Sequence, residues 1–108
     1  MAEIPRLNGA IRALEQGKPA FVTFSPPEVG MAQAINAAPY DAVVFEMEHN
    51  PYDIQLLRDC MQYMLDRRKI ATSGSIVPPV APMVRIPANG GEMNQFLAKQ
   101  VLDIGVYG

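Results

Sequence analysis

The chain of 108 residues has no tryptophan, one cysteine and one histidine. A lone Cys60 cannot form an internal disulfide, and there are too few cysteines and histidines for a zinc cluster. His49 has no nucleophile signature beside it, so hydrolysis by a serine, histidine and aspartate triad is disfavoured. Long apolar runs are also missing, which leaves nothing to serve as a signal peptide or membrane span. Nor does charge of one sign dominate. Nine basic residues stand against eleven acidic ones, and Arg67, Arg68 and Lys69 form the one basic run. Such a balance builds no field that would hold a nucleic acid or an anionic membrane surface. The cytoplasm is the expected location.

What is present reads as one globular unit in alternating segments. Ten prolines punctuate the chain without clustering into a low-complexity tract. Ile4, Leu7, Ile11 and Leu14 recur at three- and four-residue spacing before Gly17, which predicts an amphipathic helix over 4–16. "AFVTF", from Ala20 to Phe24, is a continuous apolar and β-branched run of the kind found in strands covered on both faces. Ser25, Pro26 and Pro27 then offer a cap and a first-turn proline for a helix through "EVGMAQAINAA", which Pro39 ends.

"AVVFE", from Ala42 to Glu46, predicts a second buried strand. After "HNPYD", the residues Ile54, Leu57, Met61, Met64 and Leu65 fall on one helical face opposite Arg58, Asp59, Gln62 and Asp66. Cys60 lies on the same apolar stripe and reads as core. The stretch from Lys69 to Ala81 reads as a long loop, "PMVRIP" as a third strand and 92–103 as a third helix closed by Gly105. "GVYG" begins a fourth strand. Within "NGGE", Gly90 and Gly91 lack the spacing of a nucleotide fingerprint and read as a turn before that helix.

Strand and helix in alternation, with uninterrupted apolar strands, predict a parallel sheet with crossover helices. In such folds the polar residues at the carboxyl ends of strands line the site. Ser25, then Glu46 with Glu48 and His49, then Arg85 with Asn89 occupy those ends. Imidazole titrates near neutral pH and a carboxylate partner fixes its tautomer, so His49 beside Glu46 and Glu48 suits an acid or base. The same residues also fit a loop-capping histidine with two solvated carboxylates. Arg85 can bind a carboxylate bidentately and stabilise an enolate oxygen. It can equally pair with Glu46 or Glu48 across neighbouring strands.

"YDAVVFEMEHNPYD", "PMVRIPANG" and "LDIG" resemble the successive strand ends of the HpcH/HpaI family of metal-dependent, class II pyruvate aldolases. The resemblance runs from about Ala20 to the last residue, and "EHNPYD" followed by "VRIP" is its most specific part. It implies the front of a (β/α)8 TIM barrel, holding about the first three βα units and the start of the fourth strand. It also implies an aldolase, a carbon–carbon lyase that joins a pyruvate-type enolate to an aldehyde or cleaves the product, around Mg2+, Mn2+ or Co2+. By the same resemblance His49 is the acid or base and Arg85 binds the oxo-acid and steadies the enolate. Glu46 stands where members often have Asp, and Glu48 where they have Glu.

Asp103 matches an aspartate that pairs with the histidine. Its place at the amino end of a strand implies that the pairing comes from a neighbouring subunit, hence a homo-oligomer. A closed barrel needs about 250 residues, and the metal's ligands come from later strands, with none within this chain. The alternative is a noncatalytic α/β fragment or interaction module. Either way the 108 residues alone are expected to self-associate or remain partly unfolded, without metal-dependent turnover.

Overall fold

The computed structural model describes residues 4–87 and 93–108. Its elements run α1 (Gly9–Glu15), β1 (Val22–Ser25), α2 (Val29–Asn36), β2 (Ala42–Glu46), α3 (Ile54–Tyr63), α4 (Arg67–Ser73), β3 (Ala81–Arg85) and α5 (Met93–Ile104). The three strands make a parallel sheet in the order β1, β2, β3. A mixed α/β fold with a parallel sheet is therefore established. No helix among the described residues is long and apolar enough to cross a membrane.

Strand register fixes what each face carries, because side chains alternate along a strand and register partners share a face. Ser25 pairs with Phe45 and Phe45 with Val84, so these three share one face with Thr23, Val43 and Pro82. Phe24, Val44 and Met83 lie on the other, followed at its carboxyl end by Glu46 and Arg85. The first face is covered. Val43 and Phe45 are wholly buried in a cluster with Ala32 and Ile35 of α2, Leu57 and Cys60 of α3 and Val101 of α5. Each large apolar side chain buried this way contributes about 1.5–3 kcal/mol.

The second face departs from the sequence reading. Strands "covered on both faces" predict a buried Phe24, yet Phe24 is 59% exposed. Val22 on the same face is 43% exposed, while Ala42 and Ala81 beside it are wholly buried, so the described residues cover this face only in part.

Local chemistry sets the helix ends. The first helix is shorter than its periodicity suggests, because Asn8 caps it: Asn8 Oδ1 accepts from the N–H groups of Ala10 and Ile11, leaving Ile4 outside and exposed. Asn8 Nδ2 also donates to Tyr107 O at 3.1 Å. Gly9 is needed beside it, since a Cβ there would collide with Asp41 O. These two contacts lay α1 across the amino end of the sheet. Asp53 caps α3 by accepting from Leu56 N–H, and the predicted stripe delivers Leu57, Cys60 and Met64 to the core.

Three further expectations are corrected. Ser25 does not cap α2; Glu28 occupies the N-cap without a side-chain bond, and Ser25 Oγ donates to Pro26 O instead. The stretch read as a loop from Lys69 contains most of α4, which Asp66 starts by accepting from Lys69 N–H and Gly74 stops at φ 68°. Leu65, assigned to the apolar stripe, is exposed beyond the end of α3. At the far edge, Tyr107 N–H donates to Pro82 O and Val84 N–H to Gly108 O, so 106–108 runs along β3 as a fourth strand would. Gly105 releases the chain from α5 at φ 102°.

Candidate functional site

Glu46 and Arg85 end adjacent strands and are register partners, so a carboxylate and a guanidinium emerge side by side on the uncovered face. Arg85 Nη2 donates to Glu46 Oε2. The strand ends are closed further by Met47 N–H donating to Arg85 O at 3.0 Å. Beyond Glu46 the strand stops and the chain bends. Glu46 Oε1 accepts from Glu48 N–H at 2.7 Å and His49 N–H at 3.2 Å, while Asn50 Nδ2 donates to Glu46 O at 3.1 Å. One carboxylate thus shapes the turn with one oxygen and holds the arginine with the other.

That turn also sets where His49 lies. An extended continuation would send His49 away from Glu48. In the bend His49 Nε2 lies 3.9 Å from Glu48 Oε2, and the same oxygen lies 3.2 Å from Arg85 Nε. The His49 side chain is 71% exposed, so it faces solvent at the mouth of the cluster. Arg85 also lies over the Phe24 ring, 4.9 Å from guanidinium carbon to centroid.

The electrostatics follow from these contacts. The Arg85 hydrogen bond, helped by the two backbone N–H groups and opposed by desolvation, lowers the Glu46 carboxyl from 4.5 to about 2. In return Glu46 raises the Arg85 guanidinium, so the pair stays ionised across ordinary pH. Two carboxylates against one guanidinium leave the cluster with one excess negative charge before His49 is counted. Cys60, by contrast, is pushed up to about 11 by burial in the core, as an inert structural thiol should be.

Of the residues singled out from the sequence, Glu46, Glu48, His49 and Arg85 come together. Ser25 sits at the end of β1 but on the helix-covered face, buried. Asp103 is in the last turn of α5, beside a groove lined by Arg58, Met61 and Gln62. Because 107 pairs at the level of Pro82, Asp103 lies toward the amino end of the sheet, away from His49. Asn89, Gly90, Gly91 and Glu92 lie outside the described residues. Two participants were missed: Phe24, the platform under Arg85, and Asn50, which braces the bend. The signal for Asn50 was Asn-Pro, a turn-initiating pair. For Phe24 no local signal existed, since it meets Arg85 across two strands.

Among the described residues no group of three or more His, Cys, Asp or Glu is arranged to hold a metal ion. Both oxygens of Glu46 already accept bonds, one from the backbone and the other from Arg85. No protein-family model matches this chain, and no curated protein matches it either.

Proposed function

We propose that the sheet is the front of a (β/α)8 barrel and that its strand-end cluster is the oxo-acid half of an aldolase-type carbon–carbon lyase site. The observation that supports this most is the convergence of Glu46, Glu48, His49 and Arg85 at the carboxyl ends of adjacent parallel strands, the usual place for chemistry in such sheets. Arg85 is held in one orientation by Glu46, Glu48 and the Phe24 ring, 42% exposed and so open to a ligand carboxylate. A planar guanidinium fixed in this way binds an oxo-acid in one pose and stabilises charge developing on its enolate oxygen. His49, exposed and next to Glu48, can take or return a proton at the substrate carbon or oxygen. The steps assigned to this chain are those its own side chains carry. The aldehyde and the divalent metal belong to the completed site.

A second reading draws on the same geometry. Arg85 and the two glutamates already satisfy one another, as a cross-strand lock in a noncatalytic module would. Titrating the 108-residue chain with pyruvate while following its backbone and arginine side-chain NMR signals separates the two. The oxo-acid reading expects shifts centred on Arg85, Glu48 and His49 that weaken at least tenfold in Arg85→Lys, because an ammonium cannot reproduce the planar fork. Shifts absent from the strand ends, or untouched by Arg85→Lys, would favour the lock. In a protein with turnover, His49→Ala should slow proton exchange at the pyruvate methyl by about a hundredfold or more.

A further inference from the structure

We propose that Glu48 is a shuttle between Arg85 and His49: an oxo-acid carboxylate arriving at Arg85 displaces Glu48 onto the imidazole, and the site takes up one proton as it takes up its ligand. This rests on the oxo-acid reading of Arg85 above and adds the coupling between the two side chains.

A single oxygen carries the argument. Glu48 Oε2 lies 3.2 Å from Arg85 Nε and 3.9 Å from His49 Nε2, so one atom stands between a permanent cation and a titratable one. A charge-assisted N–H···O bond is about 2.7–2.9 Å long, so the His49 contact is loose while Arg85 holds the oxygen, and a displacement of roughly 1 Å completes it.

Which carboxylate yields to a ligand follows from what else holds each one. Glu46 keeps one oxygen on the N–H groups of Glu48 and His49 and the other on Arg85, and its side chain is 11% exposed. The Glu48 side chain is 26% exposed, and its N–H, not its carboxylate, belongs to the bend. Moving Glu46 would unmake the turn that places His49. Moving Glu48 leaves that turn standing.

Charge favours the exchange. Glu46, Glu48 and Arg85 together carry one excess negative charge, and a third carboxylate would raise it to two around one guanidinium, at separations where like charges repel. A proton on His49 restores the balance. Glu46 and the ligand then share Arg85, Glu48 pairs with the imidazolium, and the excess is again one. The proton comes from solvent, which the exposed His49 side chain meets directly. Among the described residues, other titratable groups near this segment are engaged elsewhere: Tyr52 OH bonds to Gln100 Oε1, Asp53 accepts from Leu56 N–H, and Glu28 stands close enough to Cys60 to raise its thiol. The exchange therefore runs through Glu46, Glu48, His49 and Arg85, and the oxo-acid itself sets His49 in its acid form.

Pyruvate titrations of the 108-residue chain at a series of pH values, followed through the NMR signals of Arg85 and of the His49 ring, test this. At about pH 7, just above the ordinary imidazole value of about 6.5, pyruvate should shift Arg85 and move the His49 ring signals toward those of imidazolium. Binding and protonation must strengthen each other equally, so pyruvate affinity should fall about tenfold as pH rises from about 6 to about 8. In Glu48→Gln, Arg85 should still respond, while the His49 response disappears and the affinity changes less than about twofold over the same range. If that variant fails to fold, His49→Gln, at an exposed position, must bind pyruvate with the same flat profile. Arg85 shifts with His49 unmoved, or a pH dependence that survives in either variant, would overturn the shuttle and leave Arg85 as the oxo-acid anchor. No response at Arg85 at any pH would overturn both.

Discussion

Phe24 and Phe45 are both aromatic residues in apolar runs on neighbouring parallel strands, yet one is 59% exposed and the other wholly buried. Their difference comes from which face each occupies. Phe45 points to the side where the crossover helices return, and every crossover of a sequentially ordered parallel sheet returns to that side. Phe24 points to the opposite side, where the described residues leave it exposed. Apolar runs therefore announce two buried faces, while local chain connectivity delivers one.

The largest effect should come from the covered face. Phe45→Ala removes a side chain packed among Ile35, Leu57 and Val101 and should cost about 3–5 kcal/mol, read as a lower urea midpoint with an unchanged slope. The loss should not depend on protein concentration. A cost below about 1 kcal/mol would mean that the two faces are equally loose and that the comparison fails.

How far the sequence carried this picture follows the same division. The strands were legible as continuous apolar and β-branched runs, and α3 by the helical spacing of its stripe. α4 was not, because it buries no residue and leaves no periodicity; only its punctuation, Asp66 and Gly74, was there to be read. Half of α1 was misplaced because Ile4 and Leu7 continue the spacing while Asn8 starts the helix. At the site, strand ends could be read as places, so Glu46, Glu48, His49 and Arg85 were named. The bend after Glu46 could not, since it depends on one glutamate oxygen taking two backbone N–H groups. Ser25 was a strand end on the wrong face, which alternation relative to Phe45 reveals once the register is known.

Glu46, at the carboxyl end of the face that leaves Phe24 exposed, is itself only 8% exposed. A charge partner hides it, which acid should undo. Its folded value near 2 lies below the ordinary 4.5, so its contribution is complete above pH 4.5 and is lost as pH falls toward 2. Glu46→Gln should destabilise the protein at neutral pH, and the gap between variant and wild type should narrow through that window. Urea midpoints collected across the range measure it. A gap independent of pH would show that Glu46 acts through shape alone.

The smallest effect should come from Phe24 itself. In a single chain it covers little and is covered by little, and its described partner is the Arg85 guanidinium, 4.9 Å from its centroid. Phe24→Thr keeps a β-branched strand former at an exposed position, so in dilute, monomeric samples stability should change by less than about 0.5 kcal/mol. At concentrations where wild-type chains associate, the same substitution should raise the protein concentration needed for association and lower the urea midpoint of associated samples alone. Phe45→Ala would show no such dependence. The contrast between a concentration-independent loss on one face and a concentration-dependent loss on the other is what an arc of barrel wall requires. Equal behaviour of the two variants at every concentration would mean that Phe24 is covered within its own chain.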